Sequence, residues 1–376
     1  MKIAVVSDYL THHLSYFCEE LLSLGNELTF VACKQTPDFR LKTGFNDMSN
    51  YEYVIKSYEL EDKTPILKII NDCDFIIFGS GDRKLIKQRS KKGLLIFRYS
   101  EHLSKSKNFI INFLRLVKWW LILLPERKNK KFYLLCSSFW SERDYKHIGI
   151  KQNHMLKWGY FPHLLSNDGF LHEMCSDIQQ IDQKLHFVWA GRLIEWKHPE
   201  ITVEVWNYCV ENKIACDIDI YGKGKFKSRL LKKIKNTSIR LNDPVDRRNI
   251  SSILHFGDIF LFSSDNGEGW GAILNEALSA GCICICNKNA GSTNFLIKHG
   301  INGFSYSNKK DFYDCLKRVC YLDSNEKNKI CLEAINTIKN MWNPHIASLN
   351  LIRQAENIER KGELLKNIIG PASTIE

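Results

Sequence analysis

Two glutamates on either side of a glycine-containing loop are the residues of this chain best suited to bind a ligand. Glu268 and Glu276 are eight positions apart, and Gly269 and Gly271 lie between them, after the apolar run 259–262. If the segment is mostly helical, the two carboxylates are roughly 10 Å apart. The carboxylates of a retaining glycosidase are only about 5 Å apart, so this pair is not expected to act on one bond. We expect the two glutamates to hold two ends of one extended ligand.

The same loop predicts a phosphate site. Good helix formers begin near Ala272, and the first N–H groups of a helix have no partner within the helix. Those groups and the helix dipole bind phosphate without a metal ion. Gly269 and Gly271 let the backbone approach such a ligand closely, because glycine has no side chain.

Short apolar runs that alternate with helical stretches predict the elements that position this loop. Runs of this length are typical of parallel strands covered on both faces. The predicted strands are 2–7, 28–33, 74–78, 93–98, 132–136, 185–190, 216–221, 259–262 and 282–286. In the second half the predicted helices are 199–212, 226–235, 271–280 and 311–322.

This pattern predicts an α/β fold class with two Rossmann-like, doubly wound domains that face a central cleft, where such folds bind ligands. We expect an N-terminal domain at residues 1–165 and a C-terminal domain at residues 166–344, because the strand pattern restarts after the polar stretch 164–184. The last segment, about 345–376, is predicted to be a helix that packs back on the first domain.

Positive charge is concentrated in one window of the chain. The net charge is +11 for 376 residues, while residues 82–131 hold fifteen Lys/Arg and three Asp/Glu, a net of +12. The rest of the chain is therefore close to neutral. Such a patch implies an anionic partner, either a membrane surface or a nucleic acid.

Segment 109–124 inside that window predicts an amphipathic helix with a very wide apolar face. Its helical length of roughly 24 Å is short for a bilayer core of about 30 Å. Polar residues share one face of it, at Asn108, Asn112, Arg115 and Lys118. One hypothesis is a helix that lies in an anionic membrane surface, and the alternative is a buried core helix. Trp119, Trp120 and the basic flanks favour the membrane as partner of residues 82–131, and no nucleic acid is expected.

The cysteines and the N-terminus bear on location. The chain holds thirteen cysteines at scattered positions, an odd number. Asp8 interrupts the first apolar run too early for a signal peptide, so we expect reduced thiols. The expected location is cytoplasmic, peripheral on the cytoplasmic face of the inner membrane. Cys282, Cys284 and Cys286 alternate with isoleucines, which favours a buried strand over a zinc site.

Four motifs of the C-terminal half occur in an order that resembles family 4 of the glycosyltransferases, the retaining enzymes with the GT-B fold. Glu268 and Glu276, followed by Ala-Leu-Ser-Ala-Gly at 277–281, are similar to the signature of that family. The other three motifs are Gly-Arg-Leu with Lys at 191–197, Gly-Lys-Gly at 222–224 and Gly-Ile-Asn-Gly at 300–303. The resemblance covers about residues 185–310 and weakens over residues 1–165.

The resemblance implies a site for a nucleoside-diphosphate sugar, linked to UDP or GDP. Glu276 would bind the ribose, and Glu268 would be a catalytic residue that faces the transferred sugar. The diphosphate would be bound by Arg192, Lys197, Ala272 and Ile273. The sugar would lie next to Glu268, Gly269, Trp270 and Gly271.

The implied reaction needs neither a cofactor nor a metal, because Arg192 and Lys197 supply the positive charge. Asp217 and Asp219 lie within a predicted strand rather than at its end, so they are not expected to bind a metal. The implied function is retaining transfer of a hexose-type sugar to a glycan or lipid-linked acceptor. The implied setting is the synthesis of bacterial cell-surface polysaccharide or lipopolysaccharide.

The N-terminal half departs from the family in the loop after the first strand, where many members carry a Gly-Gly pair. Residues 8–13 are Asp-Tyr-Leu-Thr-His-His instead. His12 or His13 could therefore line the acceptor part of the cleft, or both could be surface histidines. His102 follows the predicted strand 93–98, where family members often place a histidine near the reacting carbon. The resemblance thus implies His102 as a second catalytic candidate.

Three other functions are considered. A sugar-nucleotide epimerase could use the same fold and donor site. A NAD-dependent dehydrogenase with two Rossmann domains needs Gly-x-Gly-x-x-Gly after a first strand, and neither half of the chain has it. A nucleic-acid-binding module would rest on the charge of residues 82–131 alone.

Overall fold

The computed structural model describes residues 1–38, 47–162, 184–235 and 237–375. The chain forms two compact units, one of Met1–Pro162 with Met341–Glu376 and one of His163–Asn340. The predicted domain boundary between residues 165 and 166 lies outside the described residues. Each unit is built on a parallel sheet with helices between its strands.

The first unit contains a seven-stranded parallel sheet among its described residues. Its strands are β1 (Lys2–Ser7), β2 (Glu27–Ala32), β3 (Val54–Lys56), β4 (Phe75–Phe78), β5 (Ile96–Ser100), β6 (Phe132–Cys136) and β7 (Met155–Lys157). Their order across the sheet is β3-β2-β1-β4-β5-β6-β7. The strand predicted at 93–98 begins later, because Gly93, at a φ of +68°, still belongs to the turn that ends the preceding helix.

The helices of the first unit cover this sheet. They are α1 (His12–Ser23), α2 (Thr64–Asp72), α3 (Lys84–Lys91), α4 (Phe109–Ile122) and α5 (Ser141–His147). Ile66 of α2, Leu85 of α3 and the partly buried Trp119 of α4 belong to one apolar cluster with the sheet. Therefore α2, α3 and α4 share one face of it.

Helix α4 directs Asn112 and Arg115 of its polar face toward the protein, while most of its apolar side chains are exposed. Asn112 Nδ2 donates to Ser106 O over 2.8 Å, and Arg115 Nη1 donates to Leu103 O over 2.8 Å. These two side chains bind backbone groups of the segment before the helix, and Lys118 of the same predicted face is exposed. No residue of this fully described helix is buried, so the hypothesis of a core helix is wrong.

The apolar side chains of α4 are exposed by 40% at Val117 and up to 79% at Phe109. At 100° per residue, most of them fall within an arc of about 140°. The exposed set is Phe109, Ile110, Ile111, Phe113, Leu114, Val117, Trp120 and Leu121.

Not every cation of the 82–131 window is at the surface, so the patch is smaller than the sequence count suggests. Arg89 is buried and donates to carbonyl oxygens, among them that of Ile70 over 2.6 Å. Arg98 is buried, with its guanidinium 5.0 Å from the ring centres of Phe78 and Trp119. The exposed lysines of the window are Lys84, Lys87, Lys91, Lys92, Lys107, Lys118, Lys128 and Lys130.

The second unit contains a six-stranded parallel sheet among its described residues, in the order β10-β9-β8-β11-β12-β13. Its strands are β8 (Leu185–Ala190), β9 (Cys216–Tyr221), β10 (Ile239–Asn242), β11 (Ile259–Phe262), β12 (Ile283–Asn287) and β13 (Phe304–Tyr306). Its helices are α6 (Ile201–Glu211), α7 (Lys227–Ile234), α8 (Ile273–Ser279), α9 (Thr293–Leu296), α10 (Lys309–Cys320) and α11 (Ser324–Asn340). The predicted α/β fold with two Rossmann-like units is thereby confirmed.

Strand β12 is buried, as the alternation of cysteine and isoleucine predicts. The thiols of Cys284 and Cys286 are free and inaccessible to solvent. Burial raises the pKa of the Cys284 thiol well above its ordinary value, so this side chain is an apolar core residue rather than a nucleophile.

The C-terminal helix α12 (Pro344–Lys361) belongs to the first unit and packs against α1. Ser348 Oγ, for example, donates to Phe17 O over 3.4 Å. The helix ends at Gly362, whose φ of 73° is left-handed, so it is shorter than the predicted 345–376. The tail beyond it returns to β7, where Lys157 N donates to Ser373 O over 2.8 Å.

Asp219 of β9 takes part in an ion-pair network on one face of the second sheet. His186 lies 2.9 Å from Asp219 through Nε2 and 2.9 Å from Asp258 through Nδ1. Arg240 Nη2 also donates to Asp219, over 2.7 Å, and Asp217 pairs with Lys184 over 2.7 Å. The aspartates of the Asp-x-Asp pattern are thus held by cations of the protein itself.

The network predicts a pH-dependent stability. The hydrogen bond to Asp258 and then that to Asp219 raise the pKa of His186 from 6.5 to about 9. Its stabilisation is therefore complete below pH 6.5 and lost as the pH rises through about 9. We expect His186→Gln to lower the free energy of unfolding by about 2 kcal/mol at pH 6 and by much less at pH 9.5. Urea denaturation at both pH values measures this difference, and an equal loss at both would contradict the ion-pair explanation.

Candidate active site

The candidate site lies where strand order reverses in the second sheet. Strands β8 and β11 are neighbours, and the chain leaves them in opposite directions across the sheet. In doubly wound folds, ligands bind at the carboxyl ends of the strands at this point. The segments that follow these two strands are residues 191–198 and residues 263–272. The structure therefore brings together the predicted residues Arg192, Lys197 and Glu268.

Lys197 and Glu268 form an ion pair at the centre of this site. Lys197 Nζ lies 2.5 Å from Glu268 Oε2, and the side chains are only 12% and 16% exposed. Ser264 Oγ donates to the same oxygen over 3.3 Å. A charged hydrogen bond at this depth is stronger than one at the surface, because less water screens it.

Glu268 is held in its ionised form. Burial by itself would raise its pKa, but the charge and hydrogen bond of Lys197 outweigh burial, and the pKa is lowered. Ser264 and the charge of Arg192 act in the same direction. Glu268 is thus a carboxylate that can accept hydrogen bonds, and it has no proton to donate at neutral pH.

Arg192 is exposed beside this pair and has a defined neighbour. Its guanidinium carbon lies 5.7 Å from the centre of the Trp196 ring. A cation over an aromatic face is attracted by the ring and is kept from extending freely into water. Trp196 is in turn placed by Gly267, where a β-carbon would lie 2.7 Å from the indole Cγ.

The Gly-Lys-Gly turn at 222–224 positions the segment that carries Arg192. Leu193 N donates to Lys223 O over 2.9 Å, and Gly191 N donates to Tyr221 O over 3.0 Å. A β-carbon on Gly222 would lie only 2.0 Å from Gly191 O. The turn therefore needs glycine at position 222 for this close backbone approach.

Four hydrogen bonds join residues 195–198 to the loop 263–268 besides the ion pair. Asp265 N donates to Trp196 O over 2.8 Å, and Ser263 Oγ lies 2.6 Å from Lys197 O and 3.1 Å from His198 O. The fourth is made by the His198 ring, whose Nε2 lies 3.0 Å from Asp265 Oδ2. Ser263 is itself held by Trp189 Nε1 over 3.0 Å.

In the glycine-containing loop Gly271 has a left-handed backbone, and the tryptophan is not exposed. Gly271 has a φ of +89°, and a β-carbon there would lie 2.4 Å from Phe262 Cζ. Trp270 is fully buried, and its Nε1 donates to Asn275 Oδ1 over 2.8 Å. Its side chain is therefore a core residue, and it can contribute to a ligand site only through its backbone.

The helix after this loop, α8, starts at Ile273 with Ala272 as its N-cap, later than the predicted residue 271. It has seven residues, so its dipole is weak and the side-chain cations carry most of the positive charge of the site. Glu276 lies in its first turn and is largely buried. Glu276, the residue predicted to bind the ribose, is thus on the short helix that follows the loop.

His102 lies in the first unit, directly after β5, and is only 2% exposed. Its Nδ1 lies 2.9 Å from Ser138 Oγ. The next backbone groups are fixed as well, since Asp144 Oδ2 accepts from Leu103 N over 2.8 Å. The imidazole of His102 is therefore buried and fixed by a hydrogen bond to Ser138.

His12 and His13 begin α1, after the carboxyl end of β1. Their ring centres are 3.7 Å apart, and the ring of His13 stacks on Tyr160 at 5.4 Å. Tyr160 Oη donates to Glu101 Oε1 over 2.6 Å, and Lys105 pairs with the other oxygen of Glu101. These residues form a polar cluster within the first unit. Its member Glu101 directly precedes His102 in the sequence.

Several residues of these sites have little or no signal in the sequence. His198 has a φ of 47°, and a left-handed histidine cannot be recognised from its neighbours. Asp265 could have been found, since it begins a turn directly after a strand that ends at the site. Glu101 and Tyr160 are far apart in the chain, so only the fold brings them together.

Within the described ranges, no group of three or more His, Cys, Asp or Glu side chains is arranged to hold a metal ion. The side chains that could bind an anionic ligand are Arg192 and Lys197. A diphosphate suits them, because planar guanidinium and ammonium groups both bind phosphate oxygens.

The fold and site define an α/β protein of the GT-B type, with its candidate site in the C-terminal unit. Residues 176–334 match the model of the family described as Glycosyl transferases group 1. That match spans the candidate site, from before β8 to within α11. A comparison with curated proteins gives no significant match.

Solved structures show the same fold along nearly the whole chain. HepE of Anabaena in complex with UDP has a TM-score of 0.67 at 12% identity, covering 95% of this chain and 100% of that chain. A glycosyltransferase from Rickettsia africae has a TM-score of 0.64 at 15% identity, covering 96% and 98%. The lipopolysaccharide outer core galactosyltransferase WaaB has a TM-score of 0.60 at 14% identity, covering 90% and 99%. At these identities the likeness to the solved structures shows the shared fold, and the family model matches the C-terminal unit.

Proposed function

We propose that this protein transfers a hexose-type sugar, with retention, from a nucleoside-diphosphate sugar to a glycan or lipid-linked acceptor in cell-surface polysaccharide synthesis. The observation that carries the proposal is the buried pair of Lys197 and Glu268 beside Arg192, at the switch point of the second sheet. These side chains offer positive charge to a diphosphate and a carboxylate to the hydroxyl groups of a sugar. The family match over residues 176–334 supports the same reaction.

The donor diphosphate would take Arg192 and Lys197 as its counter-ions. Lys197 is paired with Glu268, so Arg192 is the one cation of these three side chains that has no carboxylate partner among them. In the transfer step, negative charge increases on the leaving diphosphate, and cations already in place stabilise it. These two cations would supply the charge without a metal or a cofactor.

Glu268 would orient the transferred sugar and not attack it. Its Oε2 accepts from Lys197 and Ser264, which leaves Oε1 for a hydroxyl group of the sugar. Catalysis would rest on positioning and on charge stabilisation at the diphosphate. Glu276 is proposed to bind the ribose and the backbone at 269–273 to contact sugar and phosphate.

The nucleotide is proposed to be UDP, with GDP as the alternative. HepE, which shares the fold, is described in complex with UDP. A panel of UDP- and GDP-linked hexoses, with release of nucleoside diphosphate as readout, tests this choice. Product analysis without an acceptor separates transfer from epimerisation, since an epimerase would alter the donor sugar and release no diphosphate.

The acceptor side is proposed to lie on the first unit, with His12, His13 and His102 as candidates. The polar cluster of His13, Tyr160 and Glu101 offers a carboxylate and an aromatic face, which is a suitable combination for a sugar hydroxyl group and ring. His102 would act only if its buried imidazole gained access to the acceptor.

An anionic membrane surface is proposed as the partner of α4. The outward face of α4 is apolar over roughly 21 Å, and exposed lysines flank it in sequence at Lys107, Lys128 and Lys130. Apolar side chains can enter the lipid interface while each cation near the surface adds about 1 kcal/mol on anionic lipid. Among the described residues, none of the helices combines the length and the hydropathy that a bilayer-crossing helix needs. The proposed location is the cytoplasmic face of the inner membrane, where a lipid-linked acceptor would be met.

A negative charge introduced on the outward face of α4 is expected to weaken membrane binding. Leu114 is 60% exposed, so Leu114→Glu should leave the fold intact while it places a carboxylate where lipid would be. We expect at least a tenfold loss of binding to vesicles of anionic phospholipid, since the variant loses apolar contact and gains repulsion. Cosedimentation with vesicles measures it, and raising the salt should weaken binding of the unaltered protein.

Val210→Glu is the matched control, because Val210 of α6 is 57% exposed but lies in the second unit. It should bind vesicles like the unaltered protein. Equal binding by Leu114→Glu, or self-association through α4 with no affinity for lipid, would count against a membrane partner.

A further inference from the structure

His198 holds together the two segments that carry the candidate site, and the proposed function does not use it directly. It follows Lys197 in the chain and has a left-handed backbone, with φ 47° and ψ 55°. This conformation turns the ring away from the path of α6 and toward the loop 263–268. A left-handed histidine costs about 1 kcal/mol, so the surrounding contacts must favour it.

Both ring nitrogens of His198 face carboxylates. Nε2 lies 3.0 Å from Asp265 Oδ2, and Nδ1 lies 3.3 Å from Glu200 Oε1. Ionised carboxylates only accept hydrogen bonds, so both nitrogens must donate, and a ring that donates twice is an imidazolium. The two hydrogen bonds raise the pKa of His198 from 6.5 to about 9, which agrees with this geometry.

Other charged groups around His198 do not remove this preference. Burial by itself would raise the pKa of Glu200, but the hydrogen bond and charge of His198 lower it. The charge of Lys233 of α7 acts in the same direction as His198. Lys197 precedes His198 but directs its ammonium to Glu268. The ring therefore lies between two carboxylates on two segments, one of which is the loop that carries Glu268.

We propose that His198 is a positioning residue whose imidazolium fixes the loop 263–268 against residues 195–198, so that Lys197 and Glu268 meet the donor diphosphate and sugar in register. The inference rests on the proposed function, because it concerns the same site. Asp265 is the point of attachment: its backbone N–H binds Trp196 O, and its Oδ1 accepts from Gly267 N over 2.8 Å. When the ring loses its proton, one of its two bonds is lost, and the loop loosens.

The test is His198→Gly, because glycine adopts the left-handed conformation without strain and only the ring is removed. UDP binding is measured by calorimetry at pH 7 and pH 10, next to the unaltered protein. We expect the variant to bind about tenfold more weakly at pH 7 and nearly equally at pH 10. His198→Asn, which keeps one donor and tolerates this backbone, should lie between the two at pH 7.

His186→Gln is the matched control, because His186 also lies between two carboxylates but near the opposite end of β8. It should lose stability and keep its affinity for UDP. The deciding quantity is the dissociation constant for UDP of His198→Gly divided by that of the unaltered protein. A ratio that is the same at both pH values, or equal to one at pH 7, would overturn the proposal.

A measurement without ligand separates this proposal from the donor site itself. Amide hydrogen exchange at Asp265, Gly267 and Glu268 should be faster in His198→Gly than in the unaltered protein at pH 7. If the unaltered protein binds neither UDP nor GDP, the donor site proposed above is wrong. Unchanged exchange at the three amides would show that His198 does not fix the loop, whatever the ligand.

Discussion

Replacing Lys197 by methionine is expected to lower kcat for release of nucleoside diphosphate from the donor sugar by about a thousandfold. A loss of about this size is typical when one preorganised group is removed from the position where negative charge develops in the transition state. Methionine keeps the length of the side chain and removes its charge. Steady-state kinetics with the best donor of the panel measures the loss, and kcat should fall more than KM rises, because the charge on the diphosphate is largest in the transition state.

The same substitution leaves Glu268 largely buried without its partner, so a control must separate lost catalysis from lost stability. A buried charge that loses its partner costs about 3 kcal/mol. The double variant Lys197→Met with Glu268→Gln has no such charge, and we expect it to recover most of the unfolding free energy. It should not recover activity. Activity restored in the double variant would mean that Lys197 serves only to neutralise Glu268, and the diphosphate role would be refuted.

Gly222→Ala is expected to have a large effect on stability and on donor binding. Its β-carbon would lie 2.0 Å from Gly191 O and 3.2 Å from Gly191 C, which are backbone atoms that cannot rotate away. The segment that carries Arg192 must then separate from the 222–224 turn. We expect a loss of about 3 kcal/mol in unfolding free energy, as for other overpacked sites, and at least a tenfold higher KM for the donor.

Gly257→Ala is the control for backbone strain. Gly257 has a φ of +82°, but no heavy atom lies within 4 Å of the position its β-carbon would take. It should cost about 1–2 kcal/mol and leave the KM unchanged. Chemical denaturation of both variants measures the loss of unfolding free energy, and steady-state kinetics measures the KM for the donor. A normal KM in Gly222→Ala would show that the turn does not position Arg192.

Residues next to strand ends could be predicted from the sequence, because position after a buried strand already places a side chain at the ligand edge of a parallel sheet. Glu268 was found in this way, Arg192 and Lys197 were implied by a family motif that follows a predicted strand, and the structure brings all three to one edge. Trp270 could not be judged by the same rule. It follows the same strand, but its side chain enters the core and binds Asn275.

The orientation of α4 shows a different limit of the sequence. Periodicity identifies which side chains share a face, but it does not say which face the protein covers. In α4 the polar residues Asn112 and Arg115 bind the segment 103–106, and the apolar face is left outward. The preceding backbone, whose carbonyl oxygens accept these hydrogen bonds, decides which face is covered.

The bond between Lys197 and Glu268 makes the carboxylate an internal competitor of the ligand. Under the proposed function, a diphosphate would share the Lys197 ammonium with Glu268, so part of the positive charge is neutralised before the ligand binds. The nucleoside diphosphate product would be held less tightly for the same reason. The carboxylate would thereby favour release of the product, and the sharing of one ammonium between two anions would set how long each nucleotide remains bound.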